Sequence, residues 1–106
     1  MSILEEALKI TRQERPQDYV RPLDDFGCTA AVWQALIQVR YGIDVPLTAD
    51  FVGLMMVAMK VSREAGRHKY DNLVDIAGYA ECIGVVLSEA NSAQDEIRFT
   101  AEIIRK

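Results

Sequence analysis

The sequence predicts an all-α protein, on three observations. Apolar residues recur at three- and four-residue steps in each long stretch, residues that start and stop helices stand at the ends of those stretches, and no segment alternates like a half-buried strand. The expected architecture is an antiparallel bundle of four main helices plus a C-terminal helix, in a single domain over residues 1–106. At this length, with 50% hydrophobic residues, one core is adequate rather than generous.

The first helix is expected from about Ser2 to Glu14. Ile3, Leu4, Ala7, Leu8 and Ile10 fall at helical spacing, Ser2 is placed to cap, Glu5 and Glu6 suit the first turn, and Pro16 stops the run. PQDYVRPLDD then reads as an ordered turn, with Tyr19 either a lid on the core or a ligand contact. A second helix is expected from about Asp24 to Tyr41, capped by Asp24 or Asp25. Phe26, Ala30, Trp33, Ile37 and Tyr41 form its apolar face, Ala31, Val32, Leu36 and Val39 widen it, and Gly42 ends it.

Thr48 is placed to cap a third helix over Ala49–Ala65, apolar nearly all round and therefore expected in the middle of a bundle or at an oligomer interface. Met55, Met56 and Met59 read as packing residues of that helix. Gly66 closes it, and the short RHKY connection favours an antiparallel hairpin with a fourth helix from Asp71 to about Ala90. Asn91 and Ser92 punctuate, and AQDEIRFTAEIIRK is expected as the final helix, with Ile97, Ala101 and Ile104 on one side.

The hairpin holds the constellation that bears chemistry. From Phe51 to Val61 the sole charge is Lys60, and from Leu73 to Ala80 it is Asp75. An ionised group in an apolar interior costs several kcal/mol unless paired, hydrogen-bonded or metal-bound. Lys60 and Arg63 share one helix face; Asp71, Asp75 and Tyr79 share a face of the next. Two readings follow. In one, these residues form a buried or half-buried salt-bridge network with Asp71 as an N-cap. In the other, Asp71 and Asp75 ligate Mg²⁺ and Lys60 and Arg63 face phosphate oxygens, with His68 beside the site in the turn.

The net charge of −4 argues against nonspecific binding to nucleic acid or an anionic membrane. No run is long and apolar enough to span a bilayer, the start does not read as a signal peptide, and a cytoplasmic location is expected. Cys28 and Cys82 lack metal-ligand spacing and are expected as buried, reduced thiols. No nucleophile triad, P-loop or glycine-rich phosphate cradle is present.

DYVRP at 18–22, DDF at 24–26, Trp33, LMMVAMKVSRE and HKYDNLVDIAGYA together resemble a family of small phage and prophage proteins of unknown function. That family is itself similar to the MazG-like all-α nucleotide pyrophosphohydrolases. The resemblance covers nearly the whole chain. It implies a MazG-like helical bundle, a homodimer or higher, that cleaves a nucleoside triphosphate between its α and β phosphates using Mg²⁺. Asp71 and Asp75 would then be metal ligands, and Lys60, Arg63, His68, Tyr19 and Tyr79 would contact substrate.

The wider superfamily holds Mg²⁺ with an ExxE pair on one helix and an ExxD pair on the next. Here the second pair is Asn72 and Asp75, with Asp71 displaced by one, and the preceding helix offers Lys60 and Arg63 where acids are expected, with Glu64 near its end. Either the site uses fewer protein ligands, or the fold is kept and hydrolysis lost. The expectation is a nucleotide pyrophosphohydrolase or nucleotide binder; the alternative is a non-catalytic phage accessory protein acting through protein contacts.

Overall fold

Local chemistry sets where each helix begins. A computed structural model describes residues 2–13 and 21–105, with side-chain surroundings defined over 2–11, 21–91 and at Ile104. Ser2 is extended, and its Oγ accepts from the Glu5 amide at 3.1 Å, capping helix α1, Ile3–Leu8, with Glu5 and Glu6 in the first turn. The α-helix is shorter than the expected span to Glu14. Lys9–Gln13 continues it as one π-helical turn, where Thr11 Oγ1 donates to the Ala7 carbonyl at 2.8 Å, a back-bond of the kind that bends helices. Tyr19 lies outside the described residues, as do Glu14 and Pro16.

Helix α2 spans Pro22–Tyr41 and starts two residues before the expected Asp24. Pro22 suits the first helical position because its missing N–H would be unsatisfied there anyway. Asp24 and Asp25 are thus first-turn residues rather than caps. Arg21, at the cap position, donates through Nε to Asp24 Oδ2 at 3.1 Å. Gly42 ends the helix with φ 67°, a left-handed conformation that favours glycine, and its amide donates to the Gln38 carbonyl. In the connection, Asp44 accepts from Gln34 Nε2 at 2.8 Å, tying the segment back onto α2.

Helix α3 runs Ala49–Gly66, with Thr48 at the cap position but without the expected side-chain cap bond. After Arg67–Lys69 the chain turns into α4, Tyr70–Arg105, a 36-residue helix. The expected break at Asn91 and Ser92 is absent, and the fifth helix is the distal part of α4. Their helix propensity is less favourable than that of alanine by less than about 1 kcal/mol each, too little to stop an established helix. The described residues therefore form four helices and no strand.

Helix α3 packs between α2 and α4, while α1 lies along α4. Phe26 and Ala30 of α2, Val52 of α3 and Val86 of α4 form the core, ringed by Leu23, Trp33, Met56, Tyr79 and Cys82. Val52 and Val86 are fully buried, each contributing roughly 1.5–3 kcal/mol. Gly53 lets α3 and α4 approach, because a Cβ there would overlap the Ile83 side chain.

Much apolar surface stays outside this core. Val32, Leu36 and Val39 of α2 and Phe51, Leu54, Met55 and Val61 of α3 are exposed, Val39 at 86%. Tyr41, expected on the apolar face, is the last residue of α2 and is exposed too. Cys28 is exposed and Cys82 half-buried, which corrects the expected burial of both; neither forms a disulfide. The radius of gyration is 16.9 Å, against about 13 Å for a compact chain of this length.

Candidate functional site

The charged residues isolated within the apolar helices meet at the α3–α4 hairpin. Lys60 Nζ lies 2.8 Å from Asp75 Oδ2, with the lysine side chain 14% exposed and the aspartate 39%. The pairing expected from the sequence is therefore present, though at the edge of the bundle rather than inside it. The three-residue connection forces the register: folding α4 back on α3 sets the second turn of α4 beside the last two turns of α3.

Around this ion pair is an open cleft of about 620 Å³, lined by Lys60, Arg63, Arg67 and Lys69 on the basic side and by Asp71, Asn72 and Asp75 opposite. Among the described residues no ion pair engages Arg63, Arg67 or Lys69. The last turn of a helix suits Arg63 as a cation, and the first turn of α4 suits Asp71 as an anion.

Glu64 organises the turn. Its Oε2 pairs with His68 Nδ1 at 2.6 Å, and its Oε1 accepts from the Lys69 amide at 2.9 Å and from Asn72 Nδ2 at 3.3 Å. The His68 hydrogen bond first, then the Lys69 amide, hold the Glu64 carboxyl below its ordinary range. Asn72, 7% exposed, is the buried polar side chain of this network. His68 is 69% exposed and faces Glu64, not the cleft lining.

The structure thus brings together Lys60, Arg63, Asp71 and Asp75. Tyr79 lies outside this cleft, packed at the core edge with its ring centroid 6.4 Å from that of Phe26, and lines a second cavity of about 200 Å³ between α1 and α4. Asp75 borders both cavities. Arg67 and Lys69 have no site role in the sequence reading, and the hydrogen bond between Glu64 and Asn72 is not expected from it. The basic run RHK in an acidic chain, and the i,i+4 spacing of Glu64 and His68, were the available signals. Among the described residues no three His, Cys, Asp or Glu side chains converge as a metal cage. Two carboxylates on one cleft still suit Mg²⁺, which keeps several waters and draws further oxygens from bound phosphates.

Fold and cleft define a small all-α protein with a basic cleft at one helical hairpin. The chain belongs to the family described as Domain of unknown function (DUF6378), whose model matches residues 2–87. It is 31% identical over 90 residues to the Gene 55 protein of Mycobacterium phage D29, an alignment covering 83% of this chain and 55% of that relative. The chain spans about half the length of the relative it matches. No solved structure matches it. Kinship with phage proteins of unknown function accords with the motifs, whereas the likeness to MazG-like enzymes rests on the motifs alone. Among the described residues no helix is long and apolar enough to cross a membrane.

Proposed function

We propose that the α3–α4 hairpin is the polyphosphate site of a MazG-like nucleotide pyrophosphohydrolase or nucleotide-binding protein. The observation that carries this reading is the gathering of Lys60, Arg63, Arg67 and Lys69 around Asp71 and Asp75 in one cleft, on a chain of net charge −4. Cations without carboxylate partners are suited to phosphate oxygens, Arg63 and Arg67 by their bidentate forks and Lys69 as a point charge.

The reaction is attack of water on the α-phosphate of a nucleoside triphosphate. The bond from the α-phosphorus to the bridging oxygen breaks, and monophosphate and pyrophosphate leave. Asp71 and Asp75 would hold Mg²⁺, which when bound would supply polarisation of the phosphoryl oxygens and activation of the water. Arg63 and Arg67 offset charge growing on the leaving pyrophosphate. Lys60 holds the Asp75 carboxylate in place, and Glu64 holds the turn carrying Lys69. Release of pyrophosphate from the eight common NTPs and dNTPs, with Mg²⁺ and with Mn²⁺, is the direct test. Turnover above an Asp75→Asn control is expected for at least one of them, and no turnover for any would retire the enzymatic reading.

A second reading, a non-catalytic phage accessory protein acting through protein contacts, draws on the closed Lys60–Asp75 pair and the small number of carboxylates. Binding calorimetry without turnover separates the two. A bound but unhydrolysed nucleotide supports a binder, and neither binding nor turnover leaves the accessory role.

The protein acts as a homodimer or higher. Exposed apolar rows on α2 and α3 support this, since large exposed apolar surface marks an interface.

A further inference from the structure

We propose that the cavity on the α1 side of Asp75 receives the heterocycle of the nucleotide whose phosphates lie in the basic cleft. This rests on the polyphosphate reading above and names the organic part of its ligand. Asp75 lines both cavities, so they lie side by side on α4. Along α4 the linings are displaced by about one and a half turns, near 8 Å at 1.5 Å per residue, the step that a sugar makes between phosphates and base.

The chemistry of the second cavity differs from that of the first. Ile10, Val74, Gly78, Tyr79 and Cys82 give it a largely apolar lining, with Thr11 and Asp75 as polar groups at the wall. An apolar slot with a few placed polar groups is the usual form of a site for an aromatic ring system. Its volume of about 200 Å³ falls below the roughly 300–1,000 Å³ of sites for drug-sized ligands and suits a single ring system.

Two backbone features keep the slot open. At Lys9–Gln13 the chain widens into the π-helical turn that carries Ile10 and Thr11, a feature frequent at functional sites. Opposite it stands Gly78, where a Cβ would already touch Thr11 Cγ2 at 3.5 Å. A larger side chain at 78 would fill the slot without reaching Arg63 or Lys69, which line the other cavity.

The test is calorimetric titration of the full chain with each of the eight nucleoside triphosphates and with inorganic triphosphate, all with Mg²⁺. At least one nucleotide is expected to bind ten-fold or more tightly than inorganic triphosphate. Gly78→Leu should remove that advantage and leave inorganic triphosphate affinity unchanged, whereas Arg63→Ala should weaken both. If circular dichroism shows that Gly78→Leu is unfolded, Ile10→Trp at the rim of the slot serves in its place. Equal affinity of inorganic triphosphate and every nucleotide, insensitive to the slot variant, overturns the base site and leaves the phosphate site standing. Absence of binding by any of them overturns both.

Discussion

At Lys60 and Asp75 the two members of one ion pair stand in unequal surroundings, and mutation should reveal it. Asp75→Asn leaves a lysine that is 14% exposed without its counter-ion, whereas Lys60→Met leaves an aspartate that is 39% exposed and still reaches water. The first change should cost about 1–2 kcal/mol and the second less than about 1, given the partial exposure of the pair. Urea denaturation compares them, and equal or reversed costs would show that the pair is not a strut. Glu64 makes a pH prediction. Its folded carboxyl sits below the ordinary value of 4.5, so its contribution to stability is complete above that value and is lost as pH falls through the lowered one. The urea midpoint of the wild type should therefore fall more steeply than that of Glu64→Gln as the pH drops below 4.5. Parallel curves would refute the role given to this side chain.

Among the helices, two glycines with opposite surroundings separate close packing from helix propensity. Gly53 of α3 faces Ile83 and the Phe26 ring, so Gly53→Ala should force a shift costing about 1–3 kcal/mol despite the better helix propensity of alanine. Gly84 of α4 has open space where a Cβ would stand, so Gly84→Ala should stabilise by about 0.5–1 kcal/mol. Thermal melts that moved the same way for both variants would contradict the close α3–α4 contact. The continuity of α4 has the same logic. Asn91 and Ser92 are poor helix formers without the backbone veto of proline, and the helix propagates through them.

For the molecule as a whole, the balance between core and surface bears on assembly. A radius of gyration near 17 Å, with Val32, Leu36, Val39, Leu54 and Met55 exposed, leaves apolar rows that a second copy would cover. Light scattering at micromolar concentration should return at least twice the 11.9 kDa chain mass, and the double change Leu36→Glu with Leu54→Glu should reduce it to one. A wild-type monomer at every concentration would end the homo-oligomer proposal.

The sequence alone determined what depends on neighbours a few residues apart. Helical periodicity, the cap at Ser2, the left-handed stop at Gly42 and the short link after Gly66 are local, and together they were enough to pair Lys60 with Asp75. Isolated charges in apolar helices mark where an ion pair forms, because an unpaired charge there is costly wherever the helices end up. Only the tertiary structure decided how far each charge is buried, that Glu64 ties His68, Lys69 and Asn72 into one turn, and that Asp75 lies between two cavities. It also decided which side of a widely apolar helix is covered. Val32, Leu36 and Val39 are as hydrophobic as Phe26 and Ala30, yet they stay exposed, because α2 meets α3 and α4 along one stripe and a sequence period cannot say how many neighbours a helix will have.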